Sequence, residues 1–194
     1  MHNLFVIEKT FIPEDQCMNF SNYIRKTTDI ESYSKSNWLN FEDSISKKSS
    51  TKIHKNKFLN LCLKNILEYH ALNFGKISEE SGFEWWVNID RNQDWHIDKD
   101  EILFQRMNKI HPAQRSYLLY LEKPISGGEL EICTAPSLIP FTYLHNSSKI
   151  LGIKTGMLLH FNSLHYHRVL PFKGGRISIA LNFWNRPPLS VIRT

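Results

Sequence analysis

The sequence predicts a mostly β fold, a sandwich or jelly roll with N-terminal helices buttressing one face. Three observations carry this. Helical signals are confined to the first half of the chain. Beyond Gly82, short runs rich in aromatic and β-branched residues alternate with turn clusters. Those runs are many, short and regularly spaced, the pattern of closed antiparallel architectures. The chain of 194 residues, 41% hydrophobic and 22% charged, suits one folded domain spanning 1–194, with helical support over 1–80 and a β core over 83–186.

Taken in order, Leu4-Phe5-Val6-Ile7 reads as a short strand. Thr10 to Lys26 reads as a helix, with Pro13 in its first turn and Glu14-Asp15 at its positive end. Phe58 to Leu72 repeats apolar residues at helical spacing. The expected strands are Phe83 to Ile89, Trp95 to Asp98, Ser116 to Leu121, Glu129 to Cys133, Gly156 to Phe161, His167 to Leu170 and Arg176 to Trp184. Between them fall turn clusters such as Pro124-Ile125-Ser126-Gly127-Gly128 and Lys173-Gly174-Gly175. The segment from Lys99 to Arg115 carries Ile102, Leu103, Phe104, Met107 and Ile110, the apolar face of a short surface helix or of a lid.

Composition excludes several classes. The longest apolar run, Tyr117 to Leu121, is far too short to span a membrane, and the N-terminus lacks a signal-peptide pattern. Three cysteines, Cys17, Cys62 and Cys133, form no disulfide framework, so a soluble cytoplasmic protein is expected. The net charge of +5 is unevenly placed: no carboxylate follows Glu131, while Lys149, Lys154, Arg168, Lys173, Arg176, Arg186 and Arg193 do. A region with bases and no acids suits an anionic ligand. Neither this region nor the basic stretch Lys47 to Lys57 has the interleaved aromatics of a single-strand nucleic-acid platform, which argues against nucleic acid as a partner. No feature of the sequence sets an oligomeric state.

The chemistry concentrates in two places. In His96-Ile97-Asp98, residues i and i+2 of a strand point to one side, so imidazole and carboxylate can converge on a metal ion. With 9 His and 19 acids in the chain, about one such pair is expected by chance, so this signal alone is weak. The second place is His167-Arg168-Val169-Leu170-Pro171-Phe172-Lys173-Gly174-Gly175-Arg176, which reads as strand, tight turn and returning strand. A His followed by Pro at +4 and Arg at +9 arises by chance in only about 1–2% of chains of this composition. His-x-Asp plus a distant His leaves three adjacent metal positions open, which suits non-haem Fe(II) acting on O₂ with a bidentate co-substrate. A buried Arg176 needs a carboxylate, and with none nearby in sequence a ligand can supply it.

These residues resemble the iron- and 2-oxoglutarate-dependent oxygenases, in particular the prolyl-hydroxylase-like branch. The resemblance rests on an ordered set: His96-Ile97-Asp98, Tyr120-Leu121, Gly127-Gly128-Glu129-Leu130, Phe161-Asn162-Ser163, His167-Arg168-Val169-Leu170-Pro171 and Arg176-Ile177-Ser178. It covers about half of the chain, Trp86 to Trp184, and Phe11-Ile12-Pro13-Glu14-Asp15 resembles the family's entry strand and first helix. The segment Trp86 to Gln93 departs from it, since members often carry a Tyr before a Gly-containing turn there.

The resemblance implies a double-stranded β-helix of the cupin type. It also implies that His96, Asp98 and His167 bind Fe(II), while Arg176, Tyr120 and Ser178 hold 2-oxoglutarate. His165, two residues away on the same face, is the rival distal ligand. The implied reaction consumes O₂ and 2-oxoglutarate, releases succinate and CO₂ and hydroxylates a C–H bond. The Asp98 carboxylate, in the place where a small residue would admit a halide, favours hydroxylation over halogenation. The expected substrate is an amino acid or a residue in a peptide, with Trp85, Trp86, Trp95 and Phe104 as candidate pocket residues. Lys99-Asp100-Glu101 reads as solvated charge. Two alternatives stand beside this reading: a nucleic-acid demethylase of the alkylation-repair type, which the short step from His167 to Arg176 opposes, and a non-catalytic metal-binding jelly-roll module.

Overall fold

The computed structural model describes residues 5–41, 54–76, 78–135 and 147–192. Residues 47–53 of the basic stretch, Leu4 and Arg193 lie outside the described residues.

The framework is a six-stranded antiparallel sheet. It contains β1 (Phe5–Glu8), β2 (Asn37–Asn40), β3 (Gly82–Ile89), β4 (Arg115–Glu122), β8 (Leu158–Phe161) and β11 (Ile177–Trp184), in the order β1-β8-β4-β11-β3-β2. A three-stranded sheet, β7-β6-β9, is built from β6 (Leu130–Cys133), β7 (Ser148–Leu151) and β9 (His167–Val169). A two-stranded ladder pairs β5 (Ser126–Gly127) with β10 (Phe172–Lys173).

Strand alternation sorts the large sheet into two faces. Ile177, Ile179, Leu181 and Phe183 of β11 join Phe83, Trp85 and Val87 of β3 and Tyr117, Leu119 and Leu121 of β4 in one buried cluster. Two long helices cover that face, and Tyr33 of a shorter one joins the same cluster. The first, α1 (Glu14–Lys26), buries Cys17, Phe20, Ser21 and Ile24, one stripe at helical spacing. It starts at Glu14 rather than Thr10 because Pro13 sits at its N-cap in extended geometry. The other long helix, Lys57–Asn73, buries Leu59, Cys62, Leu63, Ile66, Leu67 and His70, and the Asn56 side chain caps it by accepting from the Phe58 and Leu59 amides. A short helix, α2 (Ile30–Ser34), lies between them in sequence, so the longer one is α3.

The opposite face looks onto the small sheet. Tyr120, Leu159 and Phe161 of the large sheet pack with Leu130, Ile132 and Leu151 of β6 and β7 in a second cluster. The site lies between these two layers.

One expected strand does not form as such. Trp95 to Asp98 is extended but is tied to two different partners: His96 to His167 by reciprocal backbone hydrogen bonds of 3.0 and 2.9 Å, and the Asp98 carbonyl to the Ala113 amide at 2.9 Å. His96 pairs with β9 while Asp98 and Lys99 pass to Ala113 and Pro112, so each contact stays an isolated bridge and no ladder forms. The segment after it forms α4 (Glu101–Met107), a surface helix with no buried residue, and a final turn, α5 (Leu189–Ile192), follows β11. Asp100 corrects the reading as solvated charge: it is buried, caps α4 by accepting from the Leu103 amide at 2.9 Å, and accepts from the Leu189 amide at 2.7 Å.

Two histidines are buried between helices and sheet. His70 faces the Tyr117 hydroxyl at 2.6 Å and the Gly75 carbonyl at 3.1 Å, and His160 faces the Tyr69 hydroxyl at 3.1 Å and the Arg115 guanidinium at 3.3 Å. Burial, helped by the Arg115 charge, pushes both down to about 4. The folded state therefore holds them neutral, while the unfolded chain protonates them near 6.5. Stability from these groups is full above about pH 6.5 and is lost as pH falls towards 4, because the unfolded chain takes up protons first. Denaturant midpoints measured across that range should fall, and His70→Gln or His160→Gln should each flatten the decline; an unchanged slope would contradict the buried neutral state.

Candidate active site

His96, Asp98 and His167 come from two elements that the backbone bridge joins. One ligand atom from each of the three lies within 4.8 Å of the others. His96 Nε2 is 4.0 Å from Asp98 Oδ1, His167 Nε2 is 3.7 Å from Asp98 Oδ2, and the two imidazole centroids are 4.2 Å apart. Among the described residues this is the one such group that could hold a metal ion.

The groups behind the triad orient it. His96 Nδ1 lies 2.6 Å from the Asp94 carbonyl and His167 Nδ1 lies 2.9 Å from the His165 carbonyl. A carbonyl only accepts, so each Nδ1 carries the proton and each Nε2 presents its lone pair to the shared point. The Asp98 carboxylate accepts from the Ser116 hydroxyl, which also bonds Ser163 Oγ at 2.7 Å. Burial pushes His167 down to about 4, aided by His96 and opposed by Asp98, so the imidazole is neutral at physiological pH. Neutral imidazole is the form that binds a metal. His165 is not part of the cluster. Its ring bonds the Cys133 carbonyl at 2.9 Å, and its own carbonyl sets the His167 tautomer.

Arg176 is 2% exposed and lines the same cavity. Its Nε donates to the Gly128 carbonyl at 3.2 Å, while Nη2 has no partner. Gly128 has φ +75°, and a Cβ there would fall 2.7 Å from Pro124 Cγ and 3.3 Å from Arg176 Cδ, so only glycine lets this carbonyl approach. The Asp90 carboxylate accepts from the Arg176 backbone N–H at 2.7 Å and is itself held by Arg25 of α1 at 2.9 and 3.1 Å. The guanidinium thus has a fixed backbone and a free end.

Among the described residues, the other buried groups without a partner include the Tyr120 hydroxyl and Ser178 Oγ. Tyr120 and Ser178 are register partners on β4 and β11, and the guanidinium carbon of Arg176 lies 5.3 Å from the Tyr120 ring centroid. Leaving three buried donors unsatisfied costs about 1–3 kcal/mol each. A carboxylate of a small diacid supplies the missing acceptors and the missing negative charge, so these residues fit 2-oxoglutarate. The His-Asp-His donor set likewise fits Fe(II), with open positions left for other ligands.

Of the four candidate aromatic pocket residues, Trp86 lines the cavity. Trp85 points to the helix-side core, the Trp95 ring carries the Arg168 guanidinium at 4.7 Å, and the Phe104 ring carries Lys99 Nζ at 4.7 Å. Sequence reading missed Ser116, and it quoted Ser163 within a motif without giving it a role. Ser116 lies one strand position before the Tyr117 to Leu121 run, and only the fold brings it to Asp98.

A mostly antiparallel β scaffold that cradles a His-Asp-His cluster, with an arginine end free for a diacid, defines a metal-dependent oxygenase of the jelly-roll type. The family model of the 2OG-Fe(II) oxygenase superfamily matches residues 86–184, and the chain belongs to that superfamily. Among solved structures, a prolyl-4-hydroxylase of Pseudomonas putida shares 18% identity at a TM-score of 0.57, covering 96% of this chain and 90% of that one. The viral collagen prolyl hydroxylase of Paramecium Bursaria Chlorella virus-1, in its 2-oxoglutarate complex, shares 15% at 0.59, covering 94% and 96%. HygX from Streptomyces hygroscopicus, with nickel and 2-oxoglutarate bound, shares 11% at 0.53, covering 93% and 82%. No curated protein matches the sequence. The fold is the double-stranded β-helix, and the protein is a 2-oxoglutarate-dependent non-haem iron dioxygenase that uses Fe(II), 2-oxoglutarate and O₂. No described helix is long and apolar enough to cross a membrane.

The hydrogen bond from Ser116 to Asp98 has a measurable consequence. Ser116→Ala should weaken metal affinity by about 10-fold or more, the usual scale for losing a group that orients a ligand. Titration with Mn(II) reads it, and wild-type affinity in a folded Ser116→Ala protein would show that Asp98 needs no such support.

Proposed function

We propose that the protein hydroxylates an unactivated C–H bond of a free amino acid or of a residue in a peptide. His96, Asp98 and His167 hold the iron, and Arg176, Tyr120 and Ser178 grip the far carboxylate of 2-oxoglutarate. The observation that carries the reading is one cavity lined by three converging ligands and by the Arg176 guanidinium, with the unpartnered Tyr120 hydroxyl and Ser178 Oγ on the strands beside that guanidinium. The likeness of fold to prolyl hydroxylases supports a peptide or amino-acid substrate.

The chain's own residues act by holding and excluding. The proton on each Nδ1 is pinned by a backbone carbonyl, so both imidazoles keep one orientation through turnover. Burial pushes the Tyr120 hydroxyl up to about 12, so it keeps its proton and can donate it to a carboxylate. Arg176 supplies the charge-assisted pair that sets how deep the diacid sits. Leu118, Leu130, Phe161 and Val169 line the walls and keep water out. Bound iron with 2-oxoglutarate and O₂ supplies the oxidative decarboxylation and the C–H oxidation.

Incubation of the full chain with Fe(II), 2-oxoglutarate, air and a panel of amino acids and peptides tests this. The expected product gains the mass of one oxygen, with matching succinate, and Asp98→Ala forms neither. Succinate release by Asp98→Ala at the wild-type rate would refute the ligand assignment. Oxidation of methylated single-stranded DNA, with no amino acid or peptide modified, would refute the substrate class.

A further inference from the structure

We propose that Arg25 of α1 is a positioning residue for the reaction, acting through Asp90 and Glu122 on the strand end that carries Arg176. This deepens the oxygenase reading of the site and rests on it.

Arg176 stands one residue before β11, where the ladder on each side becomes irregular. On one side the β4 register slips: Ile177 pairs with Glu122 and Ser178 with Tyr120, so Leu121 is skipped. On the other side β3 ends at Ile89, and Asp90 turns to φ +51°. Asp90 still donates its backbone N–H to the Arg176 carbonyl at 2.8 Å. The Arg176 N–H, however, donates to the Asp90 carboxylate at 2.7 Å, where a continuing ladder would offer a backbone carbonyl. A rotatable side chain thus takes the place of a rigid peptide plane, and that carboxylate needs an anchor of its own.

Arg25 is the anchor. Its Nη1 and Nη2 fork onto the two Asp90 oxygens at 2.9 and 3.1 Å, and its Nε donates to Glu122 Oε2 at 2.9 Å. One guanidinium therefore ties the residue after β3 to the last residue of β4, the two strands that flank Arg176 on β11. The turn before Arg176 is fitted to this pair, because a Cβ at Gly175 would collide with Arg25 Nη2 and Glu122 Oε1. The same contacts neutralise two carboxylates near the diacid end of the site. Left unpaired, their charge would oppose an incoming dianion. Arg25 touches no ligand, so its role is to hold the Arg176 backbone while the guanidinium stays free.

The test separates this role from the general docking of α1. In the full-length protein loaded with Mn(II), titration calorimetry with 2-oxoglutarate should show affinity weakened by about 5- to 20-fold in Arg25→Ala. Arg25→Lys keeps the charge without the fork and should weaken it by about 2- to 5-fold. Mn(II) affinity should stay within about twofold of wild type in both variants. Ser21→Ala removes another tie of α1 to β4, the hydrogen bond from Ser21 Oγ to the Leu121 carbonyl at 3.2 Å. It should leave 2-oxoglutarate affinity within about twofold of wild type, since Ser21 makes no contact with Asp90 or Glu122. Wild-type affinity in a folded Arg25→Ala protein would overturn the assignment, as would an equal loss in Ser21→Ala. Should Arg25→Ala not fold, wild-type affinity in Arg25→Lys would do so. Wild-type protein that takes up Mn(II) but no 2-oxoglutarate would instead overturn the oxygenase reading of the site.

Discussion

The reciprocal backbone hydrogen bonds between His96 and His167 are the constraint on which the site depends. They join an extended loop to β9 across 71 positions of sequence. A bridged antiparallel pair places its two side chains on the same side at close range, so the imidazoles meet without any other guidance. Asp98 then follows from being two residues on, and its carbonyl accepts from the Ala113 amide. The Arg168 guanidinium stacked on Trp95, and paired with Glu131, fastens the outer side of the same junction.

Around that junction the sheet divides its duties by alternation. Odd positions of β11 build the helix-side core, while Ala180 and Asn182 at even positions, and Arg176 just before the strand, line the cavity. Apolar burial on one face, about 1.5–3 kcal/mol for each large side chain, offsets the unsatisfied donors on the other. Arg25 of α1 extends this coupling. It bonds Asp90 after β3 and Glu122 at the end of β4, while Asp90 holds the Arg176 backbone, so the helical layer fastens three strand ends at the diacid end of the site. Gly175 makes room for it, since a Cβ there would lie 2.0 Å from Arg25 Nη2.

Much of this was legible in the sequence, for local reasons. The long apolar-periodic helices and most strands of the large sheet depend on spacing within one element, whereas the convergence of His-x-Asp with a His 71 positions later was expected from the resemblance to a known family. The unpartnered end of the Arg176 guanidinium agrees with the absence of acids beyond Glu131. What escaped depends on register between distant strands. Ser116 reaches Asp98, and Asn88 stands beside Ser178, only once β3, β4 and β11 are aligned. Strands β2 and β7 escaped because they are short and rich in polar residues, Asn37-Trp38-Leu39-Asn40 and Ser148-Lys149-Ile150-Leu151. The expected strand at Trp95 to Asp98 failed for the opposite reason: its composition suits a strand, but its backbone makes only isolated bridges to two different segments. Asp100 read as solvent-facing because a buried cap and an ordinary surface acid look alike in sequence.

The central claim is that one cavity holds a metal at the His-Asp-His end and a diacid chelating it from the arginine end. Anaerobic titration of the Fe(II)-loaded protein with 2-oxoglutarate, followed by visible absorption, tests it most directly. The account expects a metal-to-ligand charge-transfer band that saturates at one 2-oxoglutarate per chain and is lost in His167→Ala. A folded, iron-loaded wild-type protein that develops no band, or a His167→Ala protein that develops it in full, would contradict the account.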